Sequence, residues 1–314
     1  MWSFTTLPPK GWHDDKPVIA TLGNFDGLHR GHLAIVERVI ERARQLGGIP
    51  TVVTFDPHPQ RVLYPERAPH LMLTSDQKAR LVARAGIEAL VVIPFDRPLA
   101  QKSAEQFVAE VLVPRIEPRE LYVGPEFRFG SARGGDVLLL AQLGARFGFT
   151  AAAVEAVHDS GERISASRIR AELEQGRVAE AARLLGRPAA LIGTIVHGEG
   201  RGKKQLVPTA NLAPENEFLP ARGVYISRFR RGEVAIPGVT NIGVRPTFGD
   251  RRLTIETYLP GFDGDLYGQR VELELLERLR DERRFDTVEA LLEQIQKDLA
   301  AFTAYFSAPG ASPR

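Results

Sequence analysis

Cysteine is missing from all 314 residues. Its absence excludes disulfides, thiolate metal sites and a cysteine nucleophile, and it fits a reducing compartment. Long apolar runs are missing as well. None approaches membrane-spanning length, and Met1-Trp2-Ser3-Phe4 lacks the charged-then-apolar pattern of a secretory signal. A cytoplasmic protein without membrane segments is therefore expected. An excess of one charge is also absent. The 41 Lys and Arg residues nearly balance the 39 Asp and Glu residues, giving a formal charge of +2 with both signs interleaved. No long basic run marks a nucleic-acid surface, and no internal repeat is visible. What is present is ordinary for a globular chain with a real core: 43% hydrophobic and 25% charged residues. The length suggests two domains.

The first part of the chain alternates apolar runs with helical patterns. The runs are Val18–Leu22, Thr51–Phe55, Ala89–Pro94, Glu120–Gly124 and Thr150–Val157; between them lie Leu33–Leu46, Ser75–Ala85 and Ala104–Val113. This rhythm predicts a parallel sheet with crossover helices, whose ligands bind at the carboxyl ends of the strands. A further helix is expected from Ile169 to Leu185, stopped by Gly186-Arg187-Pro188. Beyond it the runs become short and β-rich: Leu191–Val196, Val224–Phe229, Val234–Ile236, Leu253–Tyr258 and Val271–Leu275. Gly and Pro turns separate them, with Arg231-Gly232 as a tight hairpin, and the pattern predicts an antiparallel barrel or sandwich. Val288, Leu291, Leu292, Ile295, Leu299 and Phe302 then repeat at helical spacing, with Asp286 and Glu289 as a capping box. The expectation is α/β: a first domain over 1–186 of Rossmann-like type, a barrel over 187–306 ending in a long helix, and a frayed tail over 307–314.

The most informative segment is Gly23-Asn24-Phe25-Asp26-Gly27-Leu28-His29-Arg30-Gly31-His32. It joins the first apolar run to a helical pattern, where backbone N–H groups and the positive helix end favour an anion. Two imidazoles there can donate to phosphates while the glycines let the backbone approach, which suits nucleotidyl transfer. A second segment, Ile164-Ser165-Ala166-Ser167-Arg168-Ile169-Arg170, opens a helix. Its serines can cap the helix, and Arg168 can reach a phosphate. Thr54-Phe55-Asp56-Pro57-His58-Pro59 and Val123-Gly124-Pro125-Glu126-Phe127-Arg128-Phe129-Gly130 end further strands, and the latter suits a planar phosphorylated ligand.

In the second domain, a glycine- and lysine-rich loop containing Gly198, Gly202 and Lys203 leads into Pro208-Thr209-Ala210-Asn211. The loop lacks the Gly-Lys-Ser/Thr spacing of a Walker A motif. If the segment is extended, Thr209 and Asn211 face one side as two hard oxygen ligands, suited to Mg²⁺ bound with ATP phosphates. Thr254, Glu256 and Tyr258 share one face of an alternating strand.

Taken together, GNFDGLHRGH, TFDPHP, VGPEFRFG, ISASRIR, PTAN, GVTNIGVRPTF, IETYLPGFDGDLYG and LRDERRF occur in one order from about residue 18 to about residue 300. In these segments the chain resembles the prokaryotic bifunctional riboflavin kinase/FMN adenylyltransferase (FAD synthetase) family. The resemblance implies ATP-dependent phosphorylation of riboflavin to FMN, then adenylylation of FMN to FAD with release of pyrophosphate. By position it implies that His29 and His32 stabilise the transferring phosphate. Gly23, Asn24, Phe25 and Asp26 would lie in the nucleotide pocket, with Ser165, Ser167 and Arg168 holding phosphates from a second side. Glu126 and Phe127 would lie near the flavin; the family usually carries Asp or Asn at the first of these. The resemblance makes Glu256 the general base of the kinase step, Thr209 and Asn211 the ligands of Mg-ATP, and Arg280 part of a segment near the flavin. It implies small-molecule partners only: riboflavin, FMN and ATP. Leu206 stands where the family carries glycine. That motivates an alternative, a mono-functional adenylyltransferase with an impaired kinase; another is a flavin-binding protein without turnover.

Overall fold

The computed structural model describes residues 1–197, 209–232, 234–247 and 250–308. Backbone contacts divide the chain into two units, Met1–Ala166 and Ser167–Arg314.

In the first unit, six parallel strands lie in the order β1 (Trp2–Phe4), β4 (Ala89–Pro94), β3 (Ile49–Asp56), β2 (Val18–Leu22), β5 (Pro118–Val123) and β6 (Thr150–Ala153). The strand order reverses direction between β2 and β5. In a parallel sheet the crevice at such a switch point, outside the carboxyl ends, is where ligands bind. β2 shows why the strands read as continuous apolar runs: all five of its residues are buried. Val18, Ala20 and Leu22 pack into one core, and Ile19 faces the other core with Val36 and Val39 of the Arg30–Leu46 helix. That helix ends at Gly47, in the left-handed region at φ 64°.

The second unit holds a closed antiparallel barrel. Its strand order is β10 (Ala210–Pro214), β13 (Asp250–Tyr258), β12 (Val234–Thr247), β11 (Gly223–Arg231), β14 (Arg270–Arg280) and β9 (Ala189–Val196). A pair of two-residue strands in the first unit, β7 (His158–Asp159) and β8 (Glu162–Arg163), completes the strand set. Tyr225, Phe229, Leu273 and Leu275 fill the barrel interior at 1% exposure or less. Three hydroxyls share that interior. Ser227 Oγ donates to Gly238 O at 3.0 Å and lies 2.7 Å from Thr240 Oγ1, which lies 2.8 Å from Thr257 Oγ1. The chain of bonds satisfies groups that would otherwise be costly to bury.

Three expectations need correction. The helix expected from Ile169 to Leu185 is two helices, Ala166–Glu174 and Val178–Leu185. Gly176 breaks it: its φ is +73°, and the side chain of Arg278 packs where a Cβ would stand. The run Val234–Ile236 is the start of a 14-residue strand reaching Thr247. The last helix, Val288–Ser307, is capped by Thr287, whose hydroxyl accepts from Ala290 N at 3.2 Å, and not by Asp286. This helix enters the expected tail at Ser307; residues 309–314 lie outside the described residues.

Candidate functional sites

The Gly23–His32 segment leaves β2 at its carboxyl end and enters the Arg30–Leu46 helix. Gly23 N donates to Val53 O at 3.1 Å, keeping the turn against β3. Phe25 and Leu28 sit at φ 50° and 38°, in the left-handed region that favours glycine, yet each is only 1% exposed. Strain of this kind persists only where packing over-determines it, and it clusters at functional turns. Asp26 is buried; its Oδ1 accepts from Met72 N at 3.0 Å and Leu73 N at 3.3 Å, tying a distant loop to the turn. Of the four residues expected in a nucleotide pocket, Phe25 is a core side chain and Asp26 a loop anchor. Asn24 is exposed and Gly23 half-buried.

His29 is the N-cap of the helix: its Nδ1 accepts from His32 N at 3.3 Å. The two imidazoles stack with centroids 3.7 Å apart, and Phe25 backs His32 at 5.1 Å. His32 is held well below the usual histidine range, chiefly by burial and then by the charges of His29, Lys78 and Arg163. Its Nδ1 is buried without a hydrogen-bond partner among the described residues. A neutral imidazole near Lys78 and Arg163 accommodates added negative charge, as a triphosphate brings.

Lys78 and Arg163 lie outside the residues that sequence pattern marks. Each reaches the site through folding: Lys78 from the Ser75–Arg84 helix, Arg163 from β8. Arg163 is ion-paired with Glu126, and that pairing holds the Glu126 carboxyl below its usual range. Glu126 is thus an exposed partner of a cation that faces His32. Phe127 packs on the core and stacks on Phe129 at 5.6 Å. Ser165 is the penultimate residue of the first unit, before Ala166. Ser167 and Arg168 open the second, where the Glu172 carboxyl is held below its usual range chiefly by its hydrogen bond with Arg177, with the charge of Arg168 adding to it.

In the barrel, β13 places Glu256 between two asparagines: Asn211 on β10 and Asn241 on β12 are its cross-strand partners. The sequence singles out the first asparagine as a ligand; the second lies within the GVTNIGVRPTF segment but is given no role there, and its place opposite Glu256 follows from the long β12. Glu256, Asn241, Tyr258 and Thr209 line a cavity of about 540 Å³. Its opposite wall is apolar: Val288, Leu291, Ile295 and Leu299 of the last helix. A second cavity of about 240 Å³ is lined by Thr209, Thr257, Phe262, Asp265 and Tyr267, and His197 stacks on Tyr267 at 3.8 Å. Thr209 belongs to both walls.

Arg280 also lines the larger cavity, but its guanidinium is committed. Nε donates to both Asp298 oxygens at 3.0 Å and Nη2 to Oδ2 at 2.8 Å. Its evident work is to pin the last helix onto the barrel. Gly198, Gly202, Lys203 and Leu206 lie outside the described residues.

The family model described as FAD synthetase matches residues 12–168, and that described as riboflavin kinase matches residues 185–306. The bifunctional riboflavin kinase/FMN adenylyltransferase of Escherichia coli (strain K12) is 35% identical over 289 residues, covering 92% of each chain. The chain belongs to the bifunctional riboflavin kinase/FMN adenylyltransferase family. The Pseudomonas fluorescens member is 38% identical, covering 96% of this chain and 98% of its own. A solved structure of a macrolide-efflux protein from Streptococcus pneumoniae also aligns, with TM-score 0.83 and 28% identity over 96% of this chain and 99% of that one. Among the described residues no helix is long and apolar enough to cross a membrane. The FAD synthetase match precedes the riboflavin kinase match along the chain. The helices between residues 168 and 185 fall between the matches, and backbone contacts count them with the barrel.

Proposed function

We propose that the barrel phosphorylates riboflavin to FMN and that the parallel-sheet unit transfers AMP from ATP to FMN. The observation that carries this reading is the placing of Glu256. A carboxylate flanked by two amides stands in the wall of a cavity large enough for a tricyclic ring, opposite an apolar helix face. In the first step the terminal ribityl hydroxyl attacks the γ-phosphorus, Glu256 takes its proton, and the bond to the β-phosphate oxygen breaks to release ADP. The flavin ring occupies the larger cavity and the nucleotide the smaller. Thr209, common to both walls, marks where hydroxyl and phosphate meet.

Magnesium fits this junction. Asn211 turns its Nδ2 to Thr209 O at 3.4 Å, which directs its Oδ1 the other way, and Thr209 adds a hydroxyl. No cluster of three or more His, Cys, Asp or Glu that could hold a metal occurs among the described residues, so the ion would be held by these few oxygens and the phosphates. Bound there, it would neutralise phosphate charge as that charge develops.

In the second step an FMN phosphate oxygen attacks the α-phosphorus of ATP and pyrophosphate leaves. His29 and His32 stabilise the charge on the transferring phosphate. Near-neutral net charge and the absence of cysteine support a cytoplasmic enzyme of small substrates. The match to the riboflavin kinase model from residue 185 supports a boundary near Gly186. Incubating the chain with riboflavin, ATP and Mg²⁺ and resolving FMN, FAD and pyrophosphate tests the reading. Both flavins should form in sequence. FAD from FMN but none from riboflavin would leave only the second activity; no turnover of either flavin would remove both.

A further inference from the structure

The Ser75–Arg84 helix begins with a reciprocal cap: Thr74 Oγ1 accepts from Gln77 N at 3.1 Å, and Gln77 Oε1 accepts from Thr74 N at 3.0 Å. The cap fixes the first turn, and Lys78 follows it directly. A lysine on a surface helix normally extends into water. This one is half-buried, and burial lowers its proton affinity despite the nearby charges of Asp26 and Asp56. Its Nζ donates to Asn24 O at 2.8 Å and to Thr54 Oγ1 at 3.4 Å.

Those two oxygens locate the ammonium. Asn24 follows β2 and Thr54 lies near the end of β3, so the charge sits in the crevice between the carboxyl ends of adjacent parallel strands. The turn that carries His29 and His32 leaves the same end of β2. Neither oxygen bears a charge. An ammonium has three donors; with two given to neutral oxygens, one N–H is left for a further acceptor. Desolvating a cation to hold it against a carbonyl is costly, and the turn gains little from it, because Gly23 N and Asp26 already tie the turn to β3 and to the loop at Met72.

We infer that Lys78 is a cationic contact of the adenylyl-transfer site, its ammonium engaging the phosphate chain of the nucleoside triphosphate beside His29 and His32. This rests on the reading of the histidine turn as the site of nucleotidyl transfer. An ammonium is a compact point charge suited to a phosphate. Sequence pattern passes over it because one lysine on an amphipathic helix carries no motif.

The test compares Lys78→Met and Lys78→Arg in the full chain. A charged hydrogen bond to phosphate is worth roughly 1.5–3 kcal/mol, a factor of about 10–150. Lys78→Met should lower kcat/KM for ATP in FAD formation by that factor. The KM for FMN, the rate of riboflavin phosphorylation and the melting temperature should stay unchanged. Lys78→Arg should recover most of the loss. Wild-type kcat/KM for ATP in Lys78→Met overturns the inference. So does an equal loss in both variants with a lowered melting temperature, which would mark a packing role. If the wild-type chain makes no FAD from FMN, the reading of the site fails on its own. Calorimetry with Mg-ATP then still judges Lys78: Lys78→Met must weaken binding at least about tenfold, and equal binding refutes the contact.

Discussion

Replacing Asp298 with alanine isolates what holds the last helix to the barrel. Asp298 is the one buried residue of Val288–Ser307, and its carboxylate accepts from Arg280 Nε and Nη2 and from Gln294 Nε2, the last at 2.9 Å. The two side chains are only 12% and 9% exposed. Without the carboxylate, Arg280 keeps the Asp281 carbonyl at 3.1 Å and the Phe285 ring, neither of which neutralises it. Breaking one side of a buried pair costs about 3–5 kcal/mol, because the stranded charge remains. At about 2–4 °C per kcal/mol, the melting temperature of the barrel unit should fall by about 6–20 °C. The helix forms one wall of the larger cavity, so the KM for riboflavin should rise while FAD formation from supplied FMN keeps its rate. Replacing both partners, Arg280→Met with Asp298→Leu, should restore most of the stability, since an apolar pair removes the stranded charge as well. Differential scanning calorimetry with steady-state kinetics reads all of this. A midpoint within about 2 °C of wild type, together with an unchanged riboflavin KM, would refute the account of the helix as pinned by this pair.

The two steps should separate by mutation. His32→Ala should lower FAD formation by about 10²–10³, the usual loss for a donor to a developing oxyanion, with riboflavin phosphorylation intact; product chromatography would show FMN accumulating. Glu256→Gln should lower FMN formation by about 10²–10⁴ while supplied FMN is still converted, and loss of both activities in either variant would break the division of labour. The depressed His32 has a pH consequence. Above its ordinary value of 6.5 both folded and unfolded chains hold it neutral, so it adds no pH dependence. As the pH falls below that value, the unfolded chain takes up a proton that the folded chain resists. Stability then drops by at most about 1.4 kcal/mol per pH unit until the folded ring titrates. His32→Gln should flatten this part of the melting profile, and an identical slope in both proteins would assign it to other groups.

The elements were legible where one physical signal dominated. β2 and β4 end at the residues their apolar runs predict, because a strand covered on both faces carries no charged residue to blur its limits. The Ile169–Leu185 pattern misled because helical periodicity continues across Gly176, and only the packing of Arg278 reveals why the chain turns there. The histidine turn was readable as a unit, but its members divide their labour in ways no motif records. Phe25 fills the core, Asp26 anchors a loop, and Asn24 offers a carbonyl to Lys78. Lys78 and Arg163 carry no motif, since each comes to the histidine turn through helix placement or strand pairing; Asn241 lies in a segment that carries the resemblance, but only strand pairing sets it opposite Glu256. Arg280 was placed near the flavin by its segment. It does line the cavity, yet its bonds go to a carboxylate a helix away.

The last helix turns Val288, Leu291, Ile295 and Leu299 toward an open cavity, while its only buried side chain is charged. Under the proposed function, the bound flavin packs against this apolar helix face, so binding adds apolar contact to the barrel domain. Binding at a hundredfold excess over Kd adds about 2.7 kcal/mol to the folded state. The helix should therefore be cut more slowly by protease when riboflavin is present, because each opening of the barrel then costs the binding free energy as well.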